Sequence, residues 1–163
     1  DNPLLGDLLR RKRRAVSEEV LPKRGVLRPM TRVIRSGRHV GLLVDQDARG
    51  EGVFVPFFGR PASTVDSIAA LARKHGTPIV PVALHRISPT PRYVFRIAEP
   101  IRPDPAADRD TDVLRMTAAF TRALERFIRM RPEQWLWMHR RWKTRPGTRA
   151  SPRAADPVQH PAP

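Results

Sequence analysis

Apolar positions recur at helical spacing in several parts of the chain. Leucines at positions 4, 5, 8 and 9 follow Pro3, a residue that suits the first turn of a helix, so a first helix is predicted there. A shorter helix is predicted from Pro29, with Gly37 as its C-terminal stop. The longest pattern covers 111–131, where apolar residues recur every three or four positions.

A further helix is predicted before Gly76. Ser63 is followed by Asp66 three residues later, a spacing that resembles a capping box at a helix start. Apolar residues at helical spacing come next, and Gly76 closes the element.

Four apolar or alternating runs have the length of strands. They lie at 39–44, 53–58, 77–85 and 93–101. Because helices separate most of these runs, the pattern predicts an α/β fold with a mixed, largely buried sheet flanked by helices. Residues 1–145 are predicted to form one domain, incomplete at its N-terminus, and the Pro- and Arg-rich segment 146–163 a disordered tail.

The net charge is +15, and its basic residues concentrate in 1–38 and 140–153. An imbalance of this size indicates an anionic partner, such as nucleic acid, a membrane surface or an acidic protein. Aromatic residues make up only 6% of the chain, which is sparse for a protein that stacks on bases. The absence of cysteine excludes disulfides, thiolate zinc sites and a cysteine nucleophile. No apolar run in the printed sequence approaches the ~20 residues that span a bilayer.

Histidines give no sign of a metal site or of a base with its acidic partner. His39, His75, His85 and His139 lack the i, i+4 spacing of a helical metal pair and have no neighbouring carboxylate cluster. No phosphate-binding glycine motif surrounds the Phe-rich run 53–58. We therefore expect no metal and no cofactor, and an ordinary structural role for each histidine.

Two segments could carry chemistry. Asp45 and Gln46 follow an apolar run, where open α/β sheets place ligand contacts, although such residues also favour plain turns. The segment 132–143 holds all three tryptophans together with Arg140, Arg141 and Lys143. Tryptophan beside arginine is typical of an apolar–polar boundary, and guanidinium groups suit phosphate; a helix packed on the sheet with a solvated basic end is the alternative.

Together these segments resemble the C-terminal portion of the bacterial lipid A biosynthesis acyltransferases of the lauroyl/myristoyl type. The resemblance covers roughly residues 1–146 and is carried by VGLLVDQD at 40–47, VFVPFFG at 53–59, PIVPV at 78–82 and PEQWLWMHRRWKTRP at 132–146. The combination of Asp-Gln-Asp with the His-Arg-Arg-Trp-Lys ending is specific. It implies a glycerolipid-acyltransferase-like core.

The resemblance also implies an activity and a place in a Gram-negative cell. Such enzymes move a fatty acyl chain from acyl-carrier protein to a hydroxyl of a lipid A precursor in lipopolysaccharide biosynthesis, at the cytoplasmic face of the inner membrane. Their base is a histidine with an acidic residue five positions later, behind a membrane anchor. No histidine in this sequence has that spacing. We therefore expect both features upstream of Asp1 and expect the chain alone to be inactive.

Matched to the family's motifs, Asp45 and Gln46 are expected near the acceptor sugar. Arg140, Arg141 and Lys143 are expected to bind acceptor phosphates or lipid headgroups. The implied partners are acyl-carrier protein, the lipid A precursor and the anionic inner-membrane surface, without nucleic acid. Two alternatives stay open: a phosphatidylinositol mannoside acyltransferase of the same superfamily, and a noncatalytic basic module that binds membrane or nucleic acid.

Overall fold

The computed structural model describes residues 3–17, 19–21 and 25–147. The chain divides into two compact units, Asp1–Leu42 and Leu43–Pro163. Of the predicted tail, 148–163 lies outside the described residues.

The first unit contains two helices. Helix α1 covers Pro3–Arg14, as its leucine pattern predicts, and helix α2 covers Leu27–Arg35. Helix α2 starts two residues before the predicted Pro29. It stops where predicted: Gly37 has a φ of 74°, which glycine adopts without strain, and its N–H donates to the Ile34 carbonyl over 3.0 Å.

The second unit combines two β-hairpins with two helices. Strands β1 (Val53–Phe57) and β2 (Arg60–Thr64) pair antiparallel, as do β3 (Val82–Arg86) and β4 (Tyr93–Ile97). Helix α3 covers Ser67–His75 and helix α4 covers Arg109–Met130. A short 3-10 turn, Pro132–Gln134, follows helix α4 and leads into the Trp-rich segment.

Helix α4 joins the two apolar clusters of this unit. Val113 and Met116, near its N-terminus, pack on Ala69 and Ala72 of helix α3. Ile128, near its C-terminus, packs with Phe57 and Ala62 of the first hairpin, and Trp135 and Trp142 lie against the same cluster. The helix therefore fixes the first hairpin and the Trp-rich segment on one apolar cluster.

The chain is a mixed α/β protein, as predicted, but its strands differ from the prediction in three respects. They form two separate two-stranded sheets, and Leu84 and Phe95 of the second sheet are about 60% exposed, so this sheet is not largely buried. The apolar run 39–44 is not a strand, because none of the described strands pairs with it, and Leu43 is 85% exposed. Ser63 is not a helix cap: it lies buried in strand β2, which the sequence pattern did not predict.

An ion cluster ties helix α3 to the start of helix α4. The carboxylate of Asp112 is fully buried and accepts hydrogen bonds from Arg73 (2.8 Å), Arg115 (2.6 Å) and the Asp104 N–H (3.1 Å). Burial by itself raises the pKa of Asp112, but the hydrogen bonds from Arg115, Asp104 and Arg73 outweigh it, so this pKa lies below its ordinary value.

We expect Asp112→Asn to lower the free energy of unfolding by about 2 kcal/mol at neutral pH, the scale of hydrogen bonds to charged groups. Because the pKa of Asp112 is lowered in the fold, its contribution is complete above the ordinary aspartate value of about 4 and is lost as the pH falls through the lowered pKa. Urea unfolding followed between pH 7 and pH 3 measures this difference.

The matched control is Asp110→Asn, which alters an exposed carboxylate in the same helical turn. We expect its free energy of unfolding to stay within about 0.5 kcal/mol of wild type. If the difference in free energy of unfolding between Asp112→Asn and wild type is as large at pH 3 as at pH 7, this account is contradicted.

Candidate functional site

Two segments far apart in the sequence meet in the second unit. The Asp47 N–H donates to Nε2 of His139 over 2.8 Å, and Oδ2 of Asp47 accepts a hydrogen bond from the Thr144 hydroxyl over 2.9 Å. Oδ2 of Asp45 accepts one from the Trp135 indole N–H over 3.2 Å. We call the contact between 45–47 and 135–144 the clasp. It joins the Asp-Gln-Asp motif to the basic C-terminal motif.

Arg141 lies at the centre of the clasp and is fully buried. Its Nη1 donates to the Ser63 carbonyl over 2.5 Å and its Nη2 to the Thr64 hydroxyl over 2.6 Å. The guanidinium group also lies over the Phe57 ring, 5.3 Å from its centroid. Both hairpin strands therefore hold this one cation in place.

The electrostatics of the clasp depend on a buried charge. Burial lowers the pKa of the Arg141 guanidinium, while the negative charges of Asp47 and Asp45 oppose that shift. An arginine keeps its proton even so, and a buried cation is tolerated only with compensating negative charge and hydrogen bonds. Asp47 and Asp45 act on Arg141 through their charge, while Nε of Arg141 and Oδ1 of Asp47 are buried without a hydrogen-bond partner among the described residues.

His139 acts in the clasp as a hydrogen-bond acceptor. Its Nε2 receives the Asp47 N–H, so that nitrogen presents a lone pair to the Asp47 backbone. His139 thus has the structural role that the sequence analysis expected for each histidine. Its partner, 92 residues away in the chain, was not predictable.

An aromatic cluster supports one side of the clasp. The rings of Trp135 and Trp142 lie 5.6 Å and 5.5 Å from the ring of Phe57, and the Trp142 indole N–H donates to the Phe57 carbonyl over 3.3 Å. The ring of Trp137 packs edge to face on Trp135, 4.6 Å away. The three tryptophans that the sequence placed at an apolar–polar boundary are therefore neighbours in space.

The turn between β1 and β2 is held in a strained conformation beside this cluster. Phe58 has a φ of 50°, in the left-handed region that non-glycine residues rarely adopt. Its N–H donates to Oε2 of Glu125 over 2.7 Å, and Arg129, paired with Glu125, lies over its ring at 4.8 Å from the centroid. Helix α4 thus fixes the position of the Phe-rich turn.

The five residues predicted to bind substrate occupy different environments. Asp45 is half-buried in the clasp and Arg141 is fully buried, whereas Gln46, Arg140 and Lys143 are exposed. Asp47 and His139 lie in the two motifs that the sequence singled out, but no pattern in the sequence indicated that Ser63, Thr64 and Thr144 belong to the site. The only available signal for Asp47 and His139 was the co-occurrence of their two motifs.

Two further properties concern the part of the chain that the structure describes. No group of three or more histidine and carboxylate side chains there is arranged to hold a metal ion. None of its helices is both long and apolar enough to cross a membrane.

A buried arginine compensated by carboxylates, beside exposed cations and an aromatic cluster, suits a site for an anionic ligand with an apolar part. Comparison with known proteins identifies the class. The family model of the bacterial lipid A biosynthesis acyltransferases matches residues 1–144, and the chain belongs to that family. The family expected from the motifs is confirmed.

Several characterised relatives agree with this assignment. The chain is 34% identical over 149 residues to a lipid A biosynthesis lauroyltransferase of Escherichia coli K12, covering 90% of the chain and 47% of the relative. It is 30% identical to a lipid A biosynthesis acyltransferase of Haemophilus influenzae, covering 90% and 46%, and 30% identical to the palmitoleoyltransferase of E. coli, covering 80% and 42%. The chain thus spans about half the length of these relatives.

The adjacent residues Arg140 and Arg141 provide a test of the clasp. We expect Arg141→Met to lower the free energy of unfolding by about 3 kcal/mol, since it removes two buried charge-assisted hydrogen bonds, to the Ser63 carbonyl and the Thr64 hydroxyl. The matched variant Arg140→Met removes an exposed cation, and we expect its stability to stay within about 0.5 kcal/mol of wild type. Denaturant unfolding followed by tryptophan fluorescence measures both. Equal stabilities of the two variants would show that the buried guanidinium does not hold the clasp together.

Proposed function

We propose that this chain is part of an acyltransferase that moves a fatty acyl chain from acyl-carrier protein to a hydroxyl of a lipid A precursor. The observation that carries the proposal is the clasp, which joins the two motif segments of the family and leaves Arg140 and Lys143 exposed beside an aromatic cluster. Cations suit the phosphates of such an acceptor, and apolar surface suits its acyl chains. The names of the relatives support the same reaction class.

The proposed reaction exchanges a thioester for an ester. The acceptor hydroxyl loses its proton to a base while its oxygen attacks the acyl carbonyl carbon. The carbon–sulfur bond then breaks, and the carrier's sulfur leaves as a thiolate that takes up a proton. In this family the base is a histidine with an acidic residue five positions later, which we place upstream of Asp1 together with the membrane anchor. We propose that the chain by itself binds substrate but does not turn it over.

The residues of the proposed site have different roles. Arg140 and Lys143 bind the acceptor phosphates or lipid headgroups, and Asp45 and Gln46 lie near the acceptor sugar. Arg141 is buried beneath them and acts as a positioning residue, because its hydrogen bonds to Ser63 and Thr64 fix the turn that presents its neighbours. In this assignment a single buried charge orients two exposed ones.

The same proposal includes the wider setting of the enzyme. Residues 1–145 form part of a glycerolipid-acyltransferase-like domain, and 146–163 a tail beyond it. The enzyme works at the cytoplasmic face of the inner membrane, and the net charge of +15 on this chain attracts the acidic carrier protein and the anionic membrane surface.

The full-length enzyme carrying Arg140→Ala and Lys143→Ala tests the acceptor site. We expect its KM for a phosphorylated glucosamine lipid to rise at least roughly tenfold, as expected for loss of one or more charge-assisted hydrogen bonds, with the KM for the acyl-carrier donor little changed. The control is the pair Arg92→Ala and Arg96→Ala, which removes the same charge from exposed positions around strand β4. Product is measured by mass spectrometry as the gain of one acyl chain.

Three outcomes would separate the parts of this proposal. Normal acceptor KM in the Arg140/Lys143 variant, with transfer intact, would reject the phosphate site and leave the reaction standing. Transfer to a mannosylated phosphoinositide in preference to the glucosamine lipid would favour the sister enzyme class. No transfer to either, from any acylated carrier protein, would reject the enzymatic assignment in favour of a binding module.

A further inference from the structure

Three consecutive apolar side chains are exposed in the turn that follows the 3-10 segment. Leu136 is 60% exposed, Trp137 53% and Met138 86%. A scattered exposed apolar residue needs no explanation, but three in sequence on one turn form a patch that indicates a partner. We call residues 136–138 the apolar tip.

The backbone of the apolar tip is held firmly. The Trp137 N–H donates to the Trp135 carbonyl over 2.9 Å, and the His139 N–H to the Leu136 carbonyl over 3.1 Å. The Trp137 indole N–H donates to the Pro132 carbonyl over 2.6 Å, while its ring packs on Trp135. Because the clasp holds Trp135 and His139, the tip cannot fold its side chains back into the core without breaking these contacts.

Positive charge flanks the apolar tip in the sequence. Arg131, Arg140 and Lys143 are exposed within seven residues of it in the sequence. The acidic residue in the same stretch is Glu133, which lies 3.9 Å from Arg131. The tip thus combines apolar side chains, an interfacial tryptophan and an excess of cations.

From this arrangement we infer that the apolar tip inserts into an anionic lipid bilayer at the level of the headgroups. Leu136 and Met138 enter the boundary of the acyl chains, Trp137 lies at the interface, and Arg140 and Lys143 meet the lipid phosphates. Charge favours an anionic bilayer over a second copy of this chain, because the second copy also carries +15 and is repelled. The inference deepens the membrane part of the proposed function and rests on it.

Insertion of the tip would determine how the acceptor lipid reaches the site. The clasp connects the tip directly to Asp45 and Asp47 through Trp135 and His139. A tip embedded in the headgroup layer therefore brings the proposed acceptor site to the depth at which a lipid phosphate resides, so the acceptor need not leave the bilayer.

The double variant Leu136→Ser/Met138→Ser tests the inference in the 163-residue chain. Sedimentation with vesicles of phosphatidylglycerol and phosphatidylethanolamine measures binding, with phosphatidylcholine vesicles as the neutral reference. We expect the variant to bind anionic vesicles at least roughly tenfold more weakly than wild type, because it removes two inserting apolar groups. Trp137 is left unchanged, since its ring packs within the aromatic cluster.

A control removes two exposed apolar side chains elsewhere. Leu84→Ser/Phe95→Ser alters a cross-strand pair of the second hairpin whose members are 59% and 60% exposed. We expect this variant to bind anionic vesicles within twofold of wild type. Thermal unfolding of both variants verifies that they keep the fold.

Three outcomes would overturn the inference. Equal losses in the two double variants would show general apolar adhesion, and unchanged binding in the tip variant would show that the tip does not insert. Weaker binding of acyl-carrier protein with unchanged vesicle binding would assign the tip to the acidic carrier. Vesicle binding needs no acyl donor, so its loss in the tip variant supports the inference even if the full-length enzyme transfers no acyl chain. Normal vesicle binding by the tip variant rejects the inference even if transfer proceeds.

Discussion

The burial of one charged side chain, Arg141, constrains the site more than any other contact. A buried cation requires negative charge and hydrogen-bond acceptors supplied by fixed parts of the protein. The Nη1 and Nη2 atoms of Arg141 have such acceptors, whereas its Nε has none within the described part of the chain. Strand β2 offers a carbonyl and a hydroxyl, and Asp45 and Asp47 offer charge. Strand β1 contributes the face of Phe57. The last segment of the described chain is thereby bound to the first hairpin of its unit.

Helix α4 provides the support on which this arrangement depends. Its N-terminal half is anchored to helix α3 through the buried Asp112, and its C-terminal half packs on the first hairpin and holds the strained Phe58 turn through Glu125. The helix ends at Met130, and the 3-10 turn Pro132–Gln134 leads from it to the tryptophans. A rigid helix of 22 residues thus connects an ion cluster at one end with an aromatic cluster at the other. The site is assembled on this helix and on a short hairpin.

Burial divides residues that look alike in the sequence into different roles. Arg140 and Arg141 are neighbours of the same type, yet one is exposed and the other fully buried. The exposed arginine suits an anionic ligand, and the buried one holds its neighbour in position. The tryptophans divide in the same way, since Trp135 and Trp142 are partly buried against Phe57 while Trp137 belongs to the apolar tip. For the arginines and for the tryptophans, burial depends on the direction in which an irregular turn points each side chain.

The sequence by itself determined the helices, the approximate positions of three strands and the family. Helical spacing in 111–131, the glycine stop at position 37 and the apolar runs 53–58, 77–85 and 93–101 are local signals, and local signals report local structure. Strand β2 carries little such signal, because its residues RPAST are small, polar or proline, and it forms only by pairing with β1. The run 39–44 has the apolar signal of a strand but is not one, because it has no pairing partner in the described chain. Only the tertiary structure decided the clasp, because its partners lie 90 to 97 residues apart and the energy of a buried charge depends on what surrounds it in space.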